Sequence, residues 1–336
     1  MVISSKSYRA CWSIFIMKNR YKRNTMKKLV TGLLMALLMT TGLMAAMADQ
    51  DVRVWQADNT DGKITPKTVE DAFKKAGFVI AANNDMNFPF KRDFKKTHMD
   101  VYNLMVVFRK DTALALAEKY PDIGLFTPIS MSIYTKKGDK TISVATLKPE
   151  VMAELMKIPT DNPEMVKLGK KIEEALSAAM PKGKFIDLGY KSKKPTVDVI
   201  TKISFKQKGD DWEEAKDDFE TAFEEQLAPN GFVMAGFTDL NYDFDEHDKE
   251  WYLFYDVYSI CKISVIYEVS KLHPEAGAFA PCSAYKYQKK DEKTIYMAFP
   301  NVHKWISSLN IEDKASIDIL LDAQKKFEDM LVKVSK

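Results

Sequence analysis

Cys261 and Cys282 are the residues of this chain best suited to covalent or metal chemistry. Cys261 sits where an expected strand hands over to a helix, so the helix N-terminus would favour its thiolate. Cys282 follows a proline at the entry to the next strand. Three chemistries fit the pair. A structural disulfide closing this loop would contribute about 3 kcal/mol in the chain-entropy model. A redox or metal-ligating pair needs exposed sulfurs and nearby histidine. Two buried thiols would instead act as small core residues.

The other candidates are weaker. Asp239-x-Asn241-x-Asp243-Phe244-Asp245-x-His247-x-x-Glu250 imitates calcium-loop spacing but has Phe244 where that loop needs glycine, so a solvated acidic loop is expected. His98, His247, His273 and His303 form no ligand spacing. No metal site and no cofactor is expected. Met152 and Met156 share a helix face, which suits core packing. No G-x-S-x-G, H-E-x-x-H or phosphate loop is present, so catalysis rests on no recognised motif. The strand Trp251 to Tyr258 is apolar on both faces. One face should meet helices. The other, read as carrying Tyr252, Phe254 and Tyr258, needs cover by a ligand, a sister domain or a second chain, which leaves a homo-oligomer open.

These residues sit in a chain of two similar halves. Tyr120-Pro121-Asp122-Ile123-Gly124-Leu125-Phe126-Thr127-Pro128-Ile129-Ser130 matches His273-Pro274-Glu275-Ala276-Gly277-Ala278-Phe279-Ala280-Pro281-Cys282-Ser283. The register holds from Tyr102 and Tyr255 to Tyr134 and Tyr287, and on to Thr141-Ile142 and Thr294-Ile295. A sustained offset means one fold used twice. The chain has 336 residues, which suits two domains.

The first 48 residues are expected to be a secretory signal rather than part of the fold. Met26-Lys27-Lys28 precedes an apolar run from Leu29 to Met47, closed by Ala46-Met47-Ala48. Residues 1–25 read as a long basic leader to that signal or as sequence upstream of a start at Met26, with cleavage after Ala48 and delivery to the periplasm. Residues 1–48 hold eight Lys/Arg and no Asp/Glu, leaving 42 basic and 47 acidic residues beyond them, a net charge of −5. An acidic exported chain is a poor partner for nucleic acid. No second apolar run is long enough to span a bilayer.

Each half reads as α+β. In the first, strands are expected at Val52 to Gln56, Phe78 to Ala82 and Val101 to Phe108, with a hairpin around Lys136-Lys137-Gly138-Asp139. Helices are expected after Thr65-Pro66, from Asp111, after Lys148-Pro149 and after Asn162-Pro163. Residues 83–96 read as a polar loop and 181–196 as a linker. The domains then span residues 49–180 and 197–336. The second half repeats the order and ends in a helix from Ile311 to Val334.

Each half resembles a DUF302 domain. That family's pattern is a Cys, a Pro thirteen residues on, then Gly, three apolar residues, Pro and Cys. The second half supplies Cys261, Pro274 and Gly277 to Cys282. The first keeps Pro121, Gly124 and Pro128 but has Phe108 and Ile129 at the cysteine positions, which argues that these positions are partly buried. The Asn-Pro often following the first family cysteine is Lys262-Ile263 here. The resemblance implies a small antiparallel-sheet domain with helices on one face, similar to the TATA-box-binding-protein topology. It implies no DNA binding and no activity. The expectation is an exported, non-catalytic protein binding a small ligand or a partner protein, with thiol-redox or metal handling by Cys261 and Cys282 as the alternative.

Overall fold

Thr65 starts the first helix, as the sequence predicts. Its hydroxyl accepts from the Thr68 amide, Thr68 returns the bond, and Pro66 occupies the first turn. That helix, α1 (Pro66–Lys75), follows β1 (Val52–Asp58) in a computed structural model that describes residues 49–335. The expected signal over 1–48 lies outside the described residues. Among those described, no helix is long and apolar enough to cross a membrane.

The first copy continues with β2 (Val79–Asp85), α2 (Asn87–Phe94), β3 (Met99–Phe108), α3 (Lys110–Leu116), β4 (Ile129–Lys136), β5 (Thr141–Leu147), α4 (Pro149–Leu155) and α5 (Pro163–Ala179). A short β6 (Lys184–Ile186) follows, inside the segment read as a linker, and pairs with β1. The second copy runs β7 (Ile200–Lys206), α6 (Trp212–Leu227), β8 (Val233–Asp239), α7 (Leu240–Asp245), β9 (Tyr252–Cys261), α8 (Ile263–Val269), β10 (Cys282–Lys289), β11 (Thr294–Pro300), α9 (Val302–Ser308) and α10 (Lys314–Val334).

Both sheets are antiparallel and share one topology. The first has the order β2-β3-β4-β5-β1-β6 and the second β8-β9-β10-β11-β7, so β6 is the only addition. The aromatic strands β3 and β9 are paired on both sides, which leaves no apolar edge to aggregate. One face of each sheet is covered by its own helices. In the second copy Phe219 and Phe223 of α6 and Phe327 of α10 stack with Phe205, Tyr258 and Phe299 of the sheet.

Two local expectations need correction. Residues 83–96 are not a loop throughout, because they hold α2. That turn of helix depends on a tertiary contact, with Phe90 fully buried between Tyr102 and Tyr267. The calcium-like stretch contains α7. Its carboxylates serve the fold: Asp239 caps the Tyr242 amide, and Asp243 pairs with Lys110 at 2.5 Å. The expected final helix is present as α10, started by Asp313, and a further helix, α9, capped by Asn301, precedes it.

Candidate functional site

The second face of each sheet is covered by the sister copy, and the matched motif does the docking. Tyr102 donates to the Pro274 carbonyl at 3.1 Å, and its counterpart Tyr255 donates to the Pro121 carbonyl. Ser130 donates to the Pro281 carbonyl at 2.7 Å, and its counterpart Ser283 to the Pro128 carbonyl at 3.1 Å. Each contact therefore occurs twice with the copies exchanged, which defines a pseudo-twofold interface. The 3-10 turns Pro121–Leu125 and Pro274–Ala278 each lie on the opposite sheet.

Gly124 and Gly277 permit that approach. A Cβ on Gly277 would stand 2.4 Å from Ser132 Cβ and 2.7 Å from Leu104 Cδ2. One on Gly124 would stand 2.5 Å from Tyr285 Cβ. The glycine is needed for close packing between copies, since any side chain would lift the turn from the sheet.

Beside the turn of the second copy lies a polar pocket of about 290 Å³. Its floor is Gln56, Tyr134 and Ser143 of the first sheet, its far wall His273 and Glu275, and its lid Ile186 to Tyr190 of the connecting segment. Glu275 is 6% exposed. Its Oε1 accepts from the Tyr190 hydroxyl at 3.1 Å and stands 3.4 Å from His273 Nδ1. Burial, and then the charge of Glu275, push the phenols of Tyr134 and Tyr190 well up, so both remain donors. Gln56 donates to Ser143 Oγ at 3.1 Å.

The pseudo-twofold counterpart is a second pocket, of about 250 Å³, where the first copy's turn meets the second sheet. Asp122 takes the place of Glu275, Tyr287 that of Tyr134, Tyr296 that of Ser143 and Ser204 that of Gln56. Its chemistry is closed. Asp122 is bound by Lys202 Nζ and by the Tyr285 hydroxyl, each at 2.5 Å. The position matching Lys202 in the first sheet is Val54, which is fully buried.

The cysteines lie elsewhere. They are unbridged, and both line an apolar cavity of about 60 Å³ with Trp305, Phe299 and Phe327. Burial pushes both thiols up to about 12. At Cys282 the neighbouring Cys261 adds to the rise and Trp305 opposes it. At neutral pH both are thiols, whereas nucleophilic and metal-binding chemistry needs thiolates. Among the described residues no cluster of three or more His, Cys, Asp or Glu could hold a metal ion.

Tyr252, Phe254 and Tyr258 do not share a face, contrary to their spacing. The register of β9 on β10 slips between Gln288 and Lys289, so Tyr252 turns to the sister copy and donates to the Ala117 carbonyl at 2.7 Å. Phe254 stacks on Trp212, and Tyr258 donates to Glu220 of α6 at 2.9 Å. Tyr252 and Tyr255 face the first copy. The cover that the strand requires is thus divided between its own helix and the sister domain.

Sequence reasoning missed a buried charge cluster on the helix side of the second sheet. Lys286 Nζ is 2.8 Å from Glu220 and 3.6 Å from Asp256, and Lys216 is 3.2 Å from Asp256. Lys286 and Asp256 are register partners on adjacent strands, and both side chains are inaccessible to solvent. Burial raises the Asp256 carboxyl to about 6 and lowers the Lys286 ammonium. The alternation Tyr285-Lys286-Tyr287 was the available signal, since it put a charge between two apolar neighbours in a central strand.

The family model described as a domain of unknown function, DUF302, matches residues 57–180 and 212–334. No curated protein matches the chain. One similar solved structure is an uncharacterized conserved protein DUF302 from Bacillus stearothermophilus, at 17% identity and a TM-score of 0.35, covering 42% of this chain and 100% of that one. With both copies matched over most of their length, the chain belongs to the DUF302 family and carries its domain twice.

Proposed function

We propose that the protein is exported and binds a small polar molecule, without catalysis, in the pocket between the two copies. One observation carries the reading. At one site of the pseudo-twofold pair, Ser143 stands where Tyr296 stands at the other, and the site lacks the internal lysine that occupies its counterpart. The walls offer donors and acceptors around an apolar edge, as ligand sites do. Export is supported by the apolar run and the Ala46-Met47-Ala48 motif. The test is mass spectrometry of small molecules that accompany the protein from the periplasmic fraction, compared with Ser143→Tyr, which puts the larger side chain of the counterpart site at this pocket. A ligand lost from a folded variant supports the pocket. Equal ligand on both proteins removes it.

The alternative is a thiol role for Cys261 and Cys282, favoured by their sharing one cavity. The raised pKa of both thiols counts against it. A free-thiol count on the exported protein decides: two free thiols that resist alkylation until unfolding speak for core packing.

A further inference from the structure

The two pockets are versions of one site, and one of them shows what the carboxylate at its centre accepts. In the second sheet's pocket the turn carboxylate, Asp122, is met by the ammonium of Lys202 at 2.5 Å. In the first sheet's pocket the same position of the turn carries Glu275, which is longer by one methylene and equally buried. The sheet there offers Val54 in place of the lysine, so among the described residues no ammonium reaches it from that position. Glu275 has a phenol and an imidazole beside it. A buried carboxylate strongly favours a hydrogen-bonded cationic partner, and among the described residues a lysine supplies one in only one of the two sites.

The remaining charges favour the same ligand. The pocket lining carries Lys136 against Asp139, Asp187 and Glu275, two more carboxylates than ammonium groups. Asp187 is held in place by Gln50 and by the Gly189 amide, so its charge is fixed at the lid. Tyr134 and Tyr190 add aromatic surface on two sides, and such surfaces attract a cation.

We propose that the pocket binds a small molecule bearing an ammonium group, seated against Glu275 as Lys202 is seated against Asp122. This rests on the reading of that pocket as the binding site. The experiment is calorimetric titration of the folded protein, at low salt, with three molecules of one carbon chain: diaminobutane, butanediol and succinate. The diamine is expected to bind at one equivalent, and the diol and the diacid at least tenfold more weakly. Glu275→Gln keeps the shape and removes the charge, and should weaken the diamine roughly ten- to a hundredfold. Lys202→Ala should expose Asp122 and add a second equivalent of diamine. Binding of butanediol or succinate as tight as the diamine, lost in Ser143→Tyr, would overturn the ammonium proposal and leave the pocket standing. Diamine binding unaffected by both Glu275→Gln and Ser143→Tyr would overturn both, as would absence of binding by all three molecules. A single equivalent for folded Lys202→Ala would overturn the argument from the sister site.

Discussion

Lys286 carries an ammonium that is wholly buried in the second sheet. Its ammonium is enclosed by Phe219, Phe254 and Tyr258 and meets Glu220 and Asp256. Replacing it by methionine should cost about 3–5 kcal/mol, because two carboxylates lose their buried partner. The pair Lys286→Met with Asp256→Leu should recover much of that loss in urea denaturation. Asp256 also predicts a pH dependence. Its folded pKa, about 6, lies above the ordinary 3.8, so the folded state binds the extra proton between these values. Stability from this group is therefore fully present below pH 3.8, falls as pH rises towards 6, and is then constant. Asp256→Asn should abolish that fall relative to the parent. An identical pH profile for the two proteins would sink the assignment. At the interface, Gly277→Ala should destabilise by about 1–3 kcal/mol through overpacking against Ser132 and Leu104, whereas Gly138→Ala, in an open hairpin turn, meets no neighbour and carries only the strain of its positive φ.

At the scale of the element, β9 joins the two halves of the core. Its inner residues face α6 and its outer tyrosines face the sister copy, and the register slip at Gln288/Lys289 lets Tyr252 join Tyr255. Tyr258→Asp should cost more than about 3 kcal/mol, since it places a third carboxylate beside Glu220 and Asp256 on a strand paired on both sides. Chemical denaturation checks this. A variant as stable as the parent would mean that the strand opens to water. The Cys261 end of the same strand lines the apolar cavity with α8 and α10, so Cys261→Ala should be a mild core change of about 1 kcal/mol or less, rather than the loss of a staple.

At the scale of the molecule, the two copies pack as one compact unit, Gln50–Lys336, in which each domain covers a face that the other leaves bare. Tyr252, Tyr255, Tyr285 and Tyr287 form one aromatic layer against the first copy. The residue before β1 and the connecting segment add to the seam: Asp51 takes bonds from Lys304 and Ser308, and Ser192 donates to the Ser308 carbonyl. Calorimetry of residues 49–336 should show one unfolding transition rather than two. The second copy alone, residues 197–336, should self-associate or aggregate through its bare tyrosine face, and residues 49–196 added in trans should suppress this. A soluble monomeric second copy with the stability of the intact chain would refute the interlocked arrangement.

The sequence by itself determined the repeat, the α+β class, the ends of most elements and the family, because caps, prolines and alternation act over a few residues. Thr65-Pro66, Asn162-Pro163 and the hairpin at Gly138 were legible for that reason. Contacts between the copies were not. Residues 83–96 look polar until Phe90 meets Tyr267 from the other copy, and a slip of register moves Tyr252 across a face that spacing alone assigns. The charged pair Lys286 and Asp256 needed the strand order to be seen as a pair. The polar pocket needed more, since Gln56, Ser143, Tyr190 and Glu275 come from both copies and the segment between them. Only the pseudo-twofold docking of the two turns brings them together, because that docking is set by shape complementarity between distant surfaces and leaves no local signature in the chain.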